Sequence, residues 1–359
     1  MSENGAEQLH LELIAPVPTI HQIINDWFDW IHPVAPILHR NLADHLALWS
    51  SASKITLERT LTLYNLSSAV HHEYGIDSSL THRFSGEASV GVKYLLHQEL
   101  DEMPFVDQQI LKRLYWLVFA GQCTCDMHGR HLLVLRHAHE PIRSLLPMEI
   151  PDEQLLLGRE PSPTSSQGGN HSYVPGLNAL SRLFLVWQTS QAVPYQTMEN
   201  LQEHISRAQQ VLNDLPPELS YTGQASQVGD FGFNVQKVNL KITQLHIRSN
   251  LLEQMNTLAK DQHLRITPNA IIEERHRVVD ELLDLLYRMP TEVFDANGYS
   301  IVPKIRDIGS ALLDELRTGS HGRTLQASIN LDRLLVKLEE LDLRPIVDCE
   351  VVNYHDLNT

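Results

Sequence analysis

Cys123, Cys125, His128 and His131 stand in the spacing C-x-C-x2-H-x2-H, and thiolate and imidazole are the ligands zinc prefers. One residue between the thiols is tight for a tetrahedral ion, whose common sites use two to four. No second cysteine pair answers the first, because Cys349 is isolated. The stretch therefore reads as packing and turn residues ahead of zinc ligands, with a redox-reactive thiol as a further alternative. His71, His72 and Glu73 form a second polar knot. Adjacent helical residues point about 100° apart, so the two rings do not easily share one ion; a helix end at the surface is expected, and His137 and His139 read the same way. Asp126 with Arg130, and Asp107 with Arg113 or Lys112, are spaced to pair around a helix. Such a pair, if buried, fixes a helix junction more than it adds stability, while arginine also suits an anionic effector. The sequence carries no G-x-S-x-G, H-E-x-x-H, G-x-G-x-x-G or G-K-[ST] run. No catalytic residue, metal or cofactor is expected, and the chain does not read as an enzyme.

Most of these residues sit on or beside one element. In 107–133, Ile110, Leu114, Leu117, Val118 and Gly121 recur at helical spacing, and Leu111, Tyr115 and Phe119 make an adjoining stripe. The two stripes cover more than half a helix, leaving Lys112, Arg113 and Gln122 as a narrow polar edge. A helix packed on several sides is predicted, with Gly121 admitting a close neighbour and CTCDMHGR as a turn or helix end. Apolar residues at three- and four-residue steps also predict helices near 20–31, 41–49, 55–74, 80–100, 175–192, 198–212, 235–258, 270–289, 301–316 and 325–343. Pro141, Pro147 and Pro151 forbid a long helix over 141–157 and suit a docked irregular segment. Almost nothing alternates with period two. The fold class is all-α, a large irregular domain of about ten to twelve helices. Residues 1–17 read as a flexible lead, 18–345 as the helical body, 158–173 as a flexible loop within it, and 346–359 as a tail.

Composition narrows the function classes. The chain has 359 residues, 42% of them hydrophobic, enough for a large core. Its formal net charge of −16 and its lack of a basic run disfavour direct nucleic-acid binding. Three cysteines make no disulfide framework and favour a reducing compartment. Neither a secretory leader nor a membrane span is predicted.

The segments IHQIINDWFDWIHPVAPILHR, LYNLSSAVHHEYGI, GEASVGVKYLLHQEL, QQILKRLYWLVFAGQCTCDMHGR, LLPMEIPDEQL and LSRLFLVWQTSQA together resemble the regulatory middle homology region of fungal zinc-cluster transcription factors. LHIRSNLLEQM and VPKIRDIGSALLDEL resemble its later helices, so the resemblance covers about residues 18–345. It implies an all-helical regulatory domain in a nuclear protein that controls secondary-metabolite or sugar-utilisation genes. By position it singles out Gln109, Lys112, Arg113, Tyr115, Trp116, Phe119, Asp126 and Arg130 as structural and regulatory determinants. The family reads DNA with six cysteines on two zinc ions, and this chain has no cysteine before Cys123. Action through protein partners, or as a truncated zinc-cluster factor, is therefore expected; the partner is a DNA-binding zinc-cluster regulator or a second copy of this chain, and a small-molecule effector acting on the domain is a separate expectation. A helical small-molecule-binding module without transcriptional output is the alternative, with an enzyme behind it.

Overall fold

The computed structural model describes residues 16–37, 56–65, 79–129, 135–140, 145–155, 172–221, 230–261, 268–318 and 324–342. Among them there is no strand, as the period-3.6 pattern predicts. In chain order the helices are α1 (Val17–Asp26), α2 (56–65), α3 (Ser79–Gln98), α4 (Phe105–Met127), the single turn α5 (Asp152–Leu155), α6 (Val174–Gln191), α7 (Met198–Asn213), α8 (Phe231–Asp261), α9 (Pro268–Arg288), α10 (Thr291–Asn297), α11 (Val302–Thr318) and α12 (Thr324–Asp342). The helix expected at 41–49 and the part of the one expected at 55–74 that lies beyond residue 65 are outside the described residues.

Local chemistry sets several boundaries. Pro16, Pro104 and Pro290 stand immediately before α1, α4 and α10, where the missing N–H of proline costs no helical bond. The Thr197 hydroxyl caps α7 by accepting from the Asn200 amide at 3.1 Å. α4 runs further than expected, through CTCDM, and stops where Gly129 takes φ 74°, a left-handed conformation that glycine adopts without strain.

Two helices organise the interior. α4 buries Ile110, Leu111, Leu114 to Phe119 and Cys123, and packs against α3 and α6. α8, about 46 Å long at 1.5 Å per residue, packs against α6, α7, α9, α10 and α11. Neighbours on so many sides explain why α8 buries Asn234, Gln236, Asn239, Gln244 and His246 as well as its apolar residues. One apolar core runs from Ile37 to Leu338 through both helices.

Four expectations change. Arg113 and Gln122 do not form a solvent edge of α4; they are 1% and 3% exposed, and both are hydrogen-bonded inside. Gly121 faces open space, and a Cβ built on it would touch nothing within 4 Å. The close approach is at Gly176 of α6, against which the Gln236 amide of α8 lies. The apolar face read on α1 is turned outward at Ile23 and Ile24, which are 60% and 39% exposed. Finally, Tyr173 ends no loose loop: its ring packs edge-on against Phe233 at 5.4 Å, and its hydroxyl donates to Asp230 at 3.1 Å.

Candidate functional site

The face of α4 that carries Gln109, Arg113 and Trp116 meets two irregular segments. The first follows α1, where the chain widens into a π-type turn over Trp27–Ile31 and the His32 amide donates back to the Trp27 carbonyl at 2.9 Å. That extra residue per turn directs His32 inward, where it is 7% exposed. The second is the proline-rich stretch 145–155, docked as predicted, with Leu145 and Leu155 buried.

Arg113 fastens both. One terminal nitrogen donates to Asp152 Oδ1 at 2.7 Å, the other to the Pro36 carbonyl at 3.2 Å. His32 Nε2 stands 3.4 Å from Asp152 Oδ2. Burial alone would raise the Asp152 carboxyl, but the hydrogen bond from His32 and the charge and hydrogen bond of Arg113 outweigh it and hold the group at about 2. Trp116 Nε1 donates to the Leu145 carbonyl at 2.9 Å, and Gln109 Oε1 accepts from the Met148 amide at 2.8 Å. Asn178 of α6 completes the strap, donating to the Pro147 carbonyl at 3.1 Å. Each bond satisfies a main-chain group that a helix or sheet would otherwise satisfy.

The remaining residues of the resemblance divide. Tyr115 and Phe119 stack at 6.2 Å, and Trp116 meets Phe119 edge-on at 5.3 Å. Tyr115 is fully buried and its hydroxyl is pushed well above its ordinary range, first by burial and then by the charge of Glu140. Lys112 is half-buried. Asp126 accepts from Trp187 Nε1 at 3.1 Å; its expected partner Arg130 lies outside the described residues. Arg113, one of the two partners expected for Asp107 beside Lys112, pairs with Asp152.

At the other end of α4, Cys123 and His128 of the Cys/His motif face different surroundings, and His131 lies outside the described residues. Cys123 is buried, and burial pushes its thiol up, which suits packing rather than redox chemistry. His128 turns to two residues on distant helices. Its Nδ1 lies 2.8 Å from Asp307 Oδ2, and His246 Nε2 lies 3.0 Å from the same oxygen. The two imidazoles sit 5.4 Å apart, centroid to centroid. Burial lowers His246 to about 4, against the opposing pull of Asp307. Lys304, one turn before Asp307, donates to Thr243 Oγ1 at 2.9 Å, and its burial brings the amine down to about 7.

A cleft of about 340 Å³ opens between α7, α8 and α9, lined by Ile205, Ser206, Gln209, Arg248, Glu274 and Glu281. Arg248 donates to Glu281 and to Glu274, at 2.8 Å in each case.

Periodicity carries no mark of Asp152, His246, Lys304 or Asp307. The first lies in the proline-rich stretch and the others within helical stretches, and the partner of each is 39 or 61 residues away. The buried polar run of α8 was the one signal available. No protein-family model, curated protein or solved structure matches the chain.

Proposed function

We propose that this chain is a transcription-regulatory helical domain that acts in the nucleus through protein partners, on fungal metabolic genes of the secondary-metabolite or sugar-utilisation kind. One observation carries the reading. Three of the separate segments that bear the resemblance meet at Arg113: His32 and Pro36 from the first, Gln109 and Arg113 from the second, and Leu145, Met148 and Asp152 from the third. Residues that look alike in sequence but scatter over more than a hundred positions thus share one physical task, which is to set how irregular segments dock on a buried helix. A domain that receives a signal needs such a junction, because a shift of one segment is transmitted to the others through the same side chain. The net charge of −16 supports contact with a DNA-binding partner over contact with phosphates.

The test is chromatin association and transcript profiling of the tagged full-length chain in its host, against a deletion strain. The reading expects recruitment to a set of metabolic promoters and a coherent transcript change restored by the wild-type chain. Unchanged transcripts together with absence from chromatin overturn it.

The second reading, a small-molecule-binding module, has its own support in the cleft beside Arg248, whose volume falls in the ordinary range for ligand sites. A ligand there raises Tm in proportion to the logarithm of its concentration.

A further inference from the structure

The convergence of His128, His246 and Asp307 has no part in the proposed regulatory reading, and it has the chemistry of a site. We propose that these three residues bind one divalent transition-metal ion of the zinc class. They come from three elements: the end of α4, the middle of α8 and the second turn of α11. One nitrogen of each imidazole and one carboxylate oxygen lie within 4.8 Å of one another. Two histidines and a carboxylate are a ligand set that zinc and its neighbours accept.

Two of the three ligand-atom separations, those to Asp307, fit with a small adjustment. In a tetrahedral zinc site with bonds of about 2.0–2.1 Å, neighbouring ligand atoms stand about 3.3–3.4 Å apart. Asp307 Oδ2 lies 2.8 Å from His128 Nδ1 and 3.0 Å from His246 Nε2, so the oxygen withdraws by about half an ångström to admit the ion. It is free to do so, because the Asp307 side chain is 42% exposed while those of His246 and His128 are 0% and 15% exposed. The rigid ligands are inside, and the adjustable one faces solvent. That solvent side also gives the ion its entry path and a water for its fourth position.

The proton count closes as well. In the metal-free arrangement each ring presents an N–H to the same Asp307 oxygen. Coordination takes the lone pair of His128 Nδ1 and of His246 Nε2, and each ring proton moves to the opposite nitrogen. Those nitrogens, His128 Nε2 and His246 Nδ1, are buried and have no hydrogen-bond partner, so no existing bond is broken to place the protons there. Two rings aimed at a single carboxylate oxygen form a focus at which one ion gains three ligands, and the metal bonds must outweigh the two N–H groups left unpaired inside. Lys304 is one turn away, but its amine is directed at Thr243.

The experiment uses the full-length chain, stripped with chelator and titrated first with Co2+ and then with Zn2+. The expected result is one Co2+ per chain, with visible d–d bands of a nitrogen–oxygen site that Zn2+ displaces, and a rise in Tm with either ion. Asp307→Asn and His128→Gln each weaken Co2+ binding at least tenfold; His139→Gln and Cys125→Ser leave it unchanged. Helical circular dichroism of each metal-free variant checks its fold. NMR on the wild-type chain needs no substitution: Co2+ must broaden the ring signals of His128 and His246 ahead of those of other histidines. The proposal is overturned by the absence of stoichiometric Co2+ binding, by binding that survives both Asp307→Asn and His128→Gln, by thiolate-to-cobalt charge-transfer bands, or by broadening centred on other histidines.

Discussion

Arg113 Nη2 donates to Asp152 Oδ1 at 2.7 Å, from a side chain 1% exposed to one 17% exposed. The pair holds a single helical turn against the middle of a buried helix, and the same guanidinium reaches the Pro36 carbonyl 77 residues away. Removing one partner leaves the other charged and dry. Arg113→Ala is expected to cost about 3–5 kcal/mol, measured by urea unfolding. Replacing both, as Arg113→Met with Asp152→Leu, returns part of that loss: the unpaired charge is gone, while the Pro36 carbonyl and His32 each lose a partner. A double variant no more stable than Arg113→Ala contradicts the assignment.

The acid limb of stability follows from the same pair. Asp152 is held at about 2 against an ordinary 3.8. A carboxyl with a lowered folded value contributes stability that is fully present above the unfolded value and is lost as pH falls toward the folded one. The window is therefore pH 4 down to 2, and the contribution is ~2 kcal/mol. In Asp152→Asn the loss of stability over that window is shallower by this amount, which denaturant titrations at pH 5, 4, 3 and 2 measure.

Lys304 predicts the opposite slope. Burial brings its amine from 10.5 to about 7, so between those values the unfolded chain binds a proton that the folded chain does not. Stability accordingly rises with pH from about 7 to 10.5 on account of this group. Lys304→Met removes the penalty while keeping the volume. It is expected to stabilise by roughly 1–3 kcal/mol at pH 7, and the gain shrinks as pH approaches 10. Melting curves across pH 6–10 check the crossover.

Two glycines separate tight helix contacts from open ones. Gly121 is exposed in the interior of α4 with space around it, so Gly121→Ala gains roughly 0.5–1 kcal/mol from reduced unfolded-chain entropy. Gly176 lies against the Gln236 amide, which is 4% exposed and donates to the Tyr173 carbonyl at 2.8 Å. A methyl there displaces that amide, and Gly176→Ala costs about 1–3 kcal/mol. Thermal melts of the two variants must move in opposite directions.

These contrasts show which features sequence periodicity carries. Leu114, Tyr115 and Leu117 lie on stripes whose 3.6 spacing announces burial, and all three are buried. The helices Met198–Asn213, Phe231–Asp261, Pro268–Arg288, Val302–Thr318 and Thr324–Asp342 fall within a few residues of their expected bounds, whereas the short helix Thr291–Asn297 has no counterpart among them. Polar residues within those stripes carry no such signal. Arg113 and Gln122 interrupt the apolar stripes of α4 and so read as its wet edge, whereas Gln122 bonds to Ser89 at 2.6 Å and accepts from the Leu135 amide at 3.0 Å. Whether such a side chain faces water depends on partners that come from other parts of the chain, and periodicity holds no record of them. The π-type turn that points His32 inward is likewise a tertiary product. Trp30, near its end, packs edge-on against Phe231 at 5.3 Å, some two hundred residues later.

Native-state hydrogen exchange tests the central claim most directly, that α4 is an internal beam on which the irregular segments are fastened. Amides of Ile110–Phe119 have no route to solvent short of broad unfolding. They are predicted to exchange slowest, together with those of α8, and far more slowly than those of α12, whose Leu325, Leu335 and Val336 face outward. Exchange across Ile110–Phe119 as fast as in α12 would contradict the account.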